Sequence, residues 1–342
     1  MNASSPDLWN NISCGVSIDD FKRVVYPVAY LIIFVLGTAG HSLSICVFFS
    51  QWRVQKSFTP VNLLMVNLLV SDLMLVCSLP LRISYYLLNS HWPFGDIACR
   101  VILYVFYLNM YSSVYFLVAL NVLRYLALVW PYLYLRIQTH YGAGIVCGLI
   151  WLLMALASSP LLFSKRGNQG EGTARCLELA LESVEKMLFI NNVSFPVGFF
   201  LPLVVIIFCS VFVVKSLLRP RPGLGRTRPC RKKACALVII SFGIFLLCFL
   251  PYHVVRTIFL YTEKNFKMNE YKGSCHYLCV VRKIAVISHC LCTANSCLDP
   301  VLFFFVGENF RTFSAKWMGG RRTSHSVARR TLQQEELHVL QK

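Results

Sequence analysis

Two arginines lie inside apolar stretches that carry little other charge. Arg82 follows Pro80 within Val61 to Leu87, and Arg256 closes the run Phe249-Leu250-Pro251-Tyr252-His253-Val254-Val255-Arg256. A guanidinium group binds a carboxylate with geometry as well as charge, through parallel N–H donors. Tyrosines accompany both: Tyr252 and Arg256 are spaced i, i+4 on one helix face, and Tyr107 and Tyr111 lie one turn apart in the run Ala98 to Val129. Arg82, Tyr107, Tyr111, Tyr252 and Arg256, set among apolar side chains, predict a site for an amphiphilic ligand carrying one or more carboxylates. The bland reading of Arg82 is a side chain that snorkels outward to the surface.

Acids are rarer. Asp72 and Asp299 both fall inside apolar runs, where a charge at the bilayer centre costs about 2.5 to 3.5 kcal/mol on insertion scales. Asp72 lies ten residues before Arg82, roughly 15 Å along a helix, so the two serve different depths. His41, mid-run, also requires a polar partner. At the far end of the third run stand Arg124-Tyr125, roughly 25 Å of helix below Tyr107. No CxxC pair sits beside histidines at zinc spacing, which argues against a metal site of that kind.

Positioning these groups requires long helices. The 342 residues are 56% hydrophobic and 14% charged, with a mean hydropathy of +0.59, too apolar for a soluble domain. The apolar residues gather into seven runs of bilayer-crossing length: Tyr26 to Ser50, Val61 to Leu87, Ala98 to Val129, Ala143 to Phe163, Phe189 to Leu218, Cys235 to Leu260 and Val281 to Val306. The fold class is therefore all-α, a seven-transmembrane-helix bundle. Net charge is +18, concentrated in the loop Lys215 to Lys233 and in the tail from Arg311 to Arg330, which share one side of a seven-span chain. The positive-inside rule makes that side cytoplasmic and the N-terminus extracellular, so membrane topology accounts for the charge and nucleic acid is not expected as a partner.

The expected organisation is an extracellular N-terminus over 1–25, the bundle over 26–306, an amphipathic helix over 307–318 and a cytoplasmic tail over 319–342. The amphipathic segment repeats Phe310, Phe313 and Trp317 between Arg311, Lys316 and Arg321, which predicts an eighth helix on the inner leaflet with its basic face toward anionic membrane lipids. Asn2 and Asn11 head glycosylation triplets on the outer side. Fifteen cysteines are mostly small hydrophobes within spans. Four lie in outside segments, Cys14, Cys99, Cys176 and Cys275; they allow two bridges in three pairings, with Cys279 able to compete with Cys275.

Several landmarks occur in one order: Asn67 with Asp72, Cys99 with Cys176, Arg124-Tyr125, Trp151, Pro202, Phe249-Leu250-Pro251 and Asp299-Pro300. Together they resemble a rhodopsin-like (class A) G protein-coupled receptor over essentially the whole chain. Leu79-Pro80-Leu81-Arg82, Phe94-Gly95-Asp96, Asn109-Met110-Tyr111-Ser112-Ser113 and Leu250 through Arg256 look most like a cysteinyl leukotriene receptor, closer to the second type than to the first.

That resemblance implies bridges Cys99–Cys176 and Cys14–Cys275, G protein coupling at Arg124 and Tyr125, and an activation pivot at Phe249, Pro251 and Pro300. It implies Gq-type calcium signalling, a plasma-membrane location, and arrestin and a receptor kinase as further partners, the tail's Thr323, Ser324, Ser326 and Thr331 being candidate phosphorylation sites. It also brings Asp72, Ser113, Asn295 and Asp299 together at mid-bundle. Two such carboxylates cannot both stay charged without a cation or a proton; a sodium ion is the family expectation, a shared proton the alternative, and no other cofactor is expected. Four positions depart from pattern: Leu123 replaces the acid beside Arg124, His41 the first-span asparagine, and Asp299 and Phe303 the asparagine and tyrosine of the seventh span. The alternative ligands are a nucleotide or a small dicarboxylate. An intramembrane enzyme using Asp72 and Asp299 lacks any GxGD-like setting, and a transporter lacks visible inverted repeats. The chain is accordingly not read as an enzyme.

Overall fold

The computed structural model describes residues 18–55, 59–163, 176, 181–218, 228–267 and 274–306. Asn2, Asn11, Cys14, the centre of the basic loop, and the expected amphipathic helix and tail lie outside the described residues. Seven helices among those described are long and apolar enough to cross a membrane. They follow from the apolar runs, with ends set by local chemistry.

The first helix, α1 (Asp19–Gln55), starts ahead of its apolar run because Asp19 and Asp20 suit the positive end of a helix dipole, and Arg53 suits the other end. Helix α2 (Pro60–Leu87) is capped by Thr59, whose hydroxyl accepts from the Asn62 N–H at 3.2 Å, with Pro60 in the first turn. Helix α3 (Gly95–Val129) runs the length of the bundle and hands over at Pro131 to a short helix, α4 (Pro131–Ile137). The fourth span is α5 (His140–Ser158), capped by Thr139, with a final turn, α6 (Pro160–Phe163). The fifth comprises α7 (Leu181–Ser194), a π-helical turn over Phe195–Phe200, and α8 (Leu201–Leu218). The sixth is α9 (Arg228–Lys267), with Pro251 inside it; the seventh is α10 (Cys275–Val306), with Pro300 inside it.

Helix α3 is central, packing against α2, α5, α8 and α9, while α1 closes the ring between α2 and α10. A Cβ at Gly40 would lie 2.9 Å from Pro300 Cγ, so the missing side chain lets α1 and α10 meet at the seventh-span proline. Polarity is inverted relative to a soluble protein. Leu31, Ile32, Val35 and Leu36 face outward, whereas His41, Asp72, Asn109, Ser113, Asn295 and Asp299 are buried. Trp151 contributes more than packing: its indole N–H donates to Asn67 Oδ1 at 2.9 Å, tying α5 to α2.

The expected bridge Cys99–Cys176 is present, with Cα atoms 5.7 Å apart. It fixes residue 176 of the loop against the outer end of α3. Cys275 is also disulfide-bonded and Cys279 is free, which removes the competition between them.

Candidate ligand site and signalling core

Arg82 is 2% exposed and does not snorkel. It turns inward because a lipid-facing guanidinium would have no acceptor at that depth, whereas α3 offers one: Nη2 donates to the Ile102 carbonyl at 2.9 Å. Its Cζ lies 5.1 Å from the Phe106 centroid. Arg256, half-buried on α9, is held by aromatic rings in the same way. Its Nη1 donates to the Tyr252 hydroxyl at 2.8 Å, and its Cζ stands 5.1 Å from the Tyr107 centroid. Phe106 and Tyr107 meet edge to face at 5.2 Å, so neighbouring residues of α3 carry the two guanidinium groups. Tyr111 is set deeper. Its ring lies against Gly198 in the π turn, where a Cβ would come within 2.5 Å of Cε1.

Charge pairing separates these arginines from the other outer ones. Arg23 pairs with Asp20, Arg100 with Asp96 and Arg282 with Glu263. Neither Arg82 nor Arg256 has a carboxylate partner among the described residues, and Arg82 Nε meets no acceptor there. One buried and one half-buried cation, left to aromatic faces and neutral oxygens, can receive an anion.

At mid-bundle the four expected residues converge. Asp72 Oδ1 accepts from Asn109 Nδ2 at 3.1 Å and from Ser113 Oγ at 3.4 Å; Asp299 Oδ2 accepts from Asn295 Nδ2 at 3.1 Å. The two carboxyl groups lie near enough to interact directly. Asp72 Oδ2, Asp299 Oδ1 and Asn295 Oδ1 are buried oxygens with no donor among the described residues, a donor set that fits a hard cation. His41 does not join them: its Nε2 meets the Ser296 carbonyl at 2.7 Å.

At the inner end Arg124 is 9% exposed, forms no ion pair among the described residues, and has an Nη1 without an acceptor. Leu123 packs against the core instead of offering an acid. Tyr125 packs edge-on against Phe208 and Phe212 of α8 and accepts from Trp130 Nε1 at 3.2 Å. Phe249 is fully buried against Phe245, with ring centroids 5.5 Å apart, just below Pro251.

The model of the 7 transmembrane receptor (rhodopsin family) matches residues 40–303. The chain belongs to this family. Cysteinyl leukotriene receptor 2 of Homo sapiens is 41% identical to the receptor over 302 residues, covering 88% of this chain and 84% of the relative. Cysteinyl leukotriene receptor 1 of Cavia porcellus is 35% identical over 312 residues, covering 91% and 88%. The uracil nucleotide/cysteinyl leukotriene receptor of Homo sapiens is 33% identical over 328 residues, covering 94% and 85%.

Sequence reasoning missed several residues of the receptor. Phe106 supports Arg82, His289 stacks on Phe106, and Met187 Sδ lies 3.6 Å from Arg256 Nη2. Asn109 bonds Ser71, Asp72 and Ser113 together. Asn109 carried a signal, being an amide in mid-span. Phe106 and Met187 carried none, since apolar residues in apolar helices gain their meaning from what crosses them.

Proposed function

We propose that the receptor sits in the plasma membrane with its N-terminus outside, binds cysteinyl leukotrienes and signals through a Gq-type heterotrimeric G protein to calcium. The observation that carries the ligand reading is the pair of inward arginines that have no carboxylate partner among the described residues. A lipid tail suits the apolar and aromatic walls, and its carboxylates suit the arginines. Uracil nucleotides are the second reading, because guanidinium groups bind phosphate equally well and one relative is named for both ligand types.

The mechanism follows the helices. Pro251 leaves a carbonyl without its helical donor and makes α9 a pivot between the arginine site and the cytoplasm. A ligand held by Tyr252 and Arg256, above that proline, shifts the bundle only by binding one of its two states more tightly. Outward movement of the inner half of α9 bares Arg124 and Tyr125 to the G protein. Asp72, Ser113, Asn295 and Asp299 would hold a sodium ion that balances the paired acids and favours the closed bundle. Arrestin and a receptor kinase act on the tail.

The test is calcium mobilisation in cells expressing the chain, challenged with cysteinyl leukotrienes, uracil nucleotides and small dicarboxylates. Arg82→Ala and Arg256→Ala should each cost the anionic agonist about 1.5 to 3 kcal/mol per charged hydrogen bond lost, roughly 10- to 150-fold in potency. Unchanged potency in both variants at normal surface expression would sink the assignment.

A further inference from the structure

His289 of α10 packs against a ring partner of each guanidinium group, Phe106 for Arg82 and Tyr252 for Arg256. Its imidazole stacks on Phe106 at 4.4 Å and 23°, the ring that also lies beneath Arg82. It stands edge-on to Tyr26 at 5.9 Å and tilted against Tyr252 at 6.0 Å, and Tyr252 in turn accepts from Arg256. The ring lies within electrostatic reach of both arginines. His41, by contrast, has its Nε2 engaged by a carbonyl of the seventh span. The His289 ring is half-buried, and its nitrogens have no hydrogen-bond partner among the described residues. Three aromatic neighbours orient the imidazole, yet its donor and acceptor go unused. A phenyl ring would make the same stacks, so packing alone does not account for a histidine.

We propose that His289 is a ligand-binding residue that hydrogen-bonds an uncharged amide or hydroxyl lying between two anionic ends of the ligand, one at Arg82 and one at Arg256. This rests on the reading of the two arginines as the carboxylate site and narrows the ligand class. A peptide-conjugated hydroxy acid satisfies all three groups. A plain fatty acid leaves His289 and one arginine unmatched, and a small dicarboxylate leaves the imidazole unmatched.

The experiment is competition binding of a radiolabelled cysteinyl leukotriene to membranes of cells expressing the full chain, as wild type, His289→Phe, His289→Gln and Arg256→Ala. His289→Phe keeps the ring stacks and should weaken binding about tenfold, while His289→Gln, which retains a donor and an acceptor, should stay within about threefold. Ligand analogues lacking either the hydroxyl or the peptide amide identify the contacted group: the one that His289 reads should bind wild type and His289→Phe alike. Wild-type binding by His289→Phe, with Arg256→Ala weakened, would overturn the inference and leave the carboxylate site standing. A His289→Phe loss undiminished against both analogues would make the imidazole a packing element and overturn it too. Unchanged binding by Arg256→Ala would remove the reading beneath it.

Discussion

Leu123 is a single side chain with a large expected effect. Arg124 beside it is nearly buried and carries no ion pair among the described residues, so no local acid holds the inner end of α3 to its closed arrangement. An ion pair made from position 123, itself only half-buried, contributes about 1 kcal/mol, which is about fivefold in a two-state equilibrium. We therefore expect measurable agonist-independent nucleotide exchange in the wild-type receptor and about a fivefold fall in Leu123→Asp. Purified receptor with purified G protein measures both, and a basal rate equal to that of G protein alone would contradict the expectation. Arg124 and Leu123 were legible in the sequence because the motif around them is local. Arg82 was legible for another reason: charge in an apolar span is expensive, so its presence signals use. The direction in which its side chain turned was not legible, because the Ile102 carbonyl that accepts from it belongs to another helix.

At the scale of elements, α9 carries contacts on both sides of its proline. Phe199, in the π turn, stacks on Phe245 below Pro251 at 5.6 Å and on His253 above it at 4.9 Å, so one ring from the fifth span bridges the pivot. Pro202, lacking an N–H, admits a bulge or bend in the fifth span; the structure places a six-residue π turn just before it, where Leu201 N–H reaches the Pro196 carbonyl. Proline explains the loss of the regular bond, and Gly198 explains why the widened turn can lie against Tyr111. Gly198→Ala should push on Tyr111 and cost about 1 to 3 kcal/mol of stability, read as a lower thermal midpoint in detergent. Higher up, Arg282 of α10 grips buried Glu263 of α9 through Nε at 2.5 Å and Nη2 at 3.1 Å. Glu263 lies two turns above Arg256, so this clamp sets the outer half of the helix that presents Arg256. Gln at 263 forfeits a charge-assisted double hydrogen bond, a loss of about 1.5 to 3 kcal/mol. Glu263→Gln should therefore lower agonist potency more than tenfold, and the swap Glu263→Arg with Arg282→Glu should recover most of it. A swap no better than the single variant, at equal surface expression, would show that charge at this position does not position α9. Neither partner advertised itself in the sequence, because both stand at span ends where charge is ordinary.

Across the whole molecule, the outer arginine site and the inner arginine are joined through a polar core centred on Asp72 and Asp299. Asn109 on α3 bonds Asp72 on α2, while Asn295 bonds Asp299 on α10, so three spans converge on one pair of acids. Seven apolar runs were enough to read the bundle, since hydropathy fixes how often the chain crosses. They could not show which buried oxygens would stay unmatched, because that depends on how closely neighbouring helices approach. Around the acid pair, Asp72 Oδ2, Asp299 Oδ1 and Asn295 Oδ1 are the ones left among the described residues. A cation favouring the closed bundle must, by linkage, oppose an agonist favouring the open one. Raising sodium at constant ionic strength should thus weaken agonist binding severalfold while leaving a state-indifferent antagonist unchanged. Asp72→Asn should abolish that dependence, since removing one acid removes both the repulsion and the charge that attracts the ion. Agonist affinity in wild type that ignores sodium, with potassium as the control, would instead leave a shared proton as the balance of the pair, and the coupling would then follow pH.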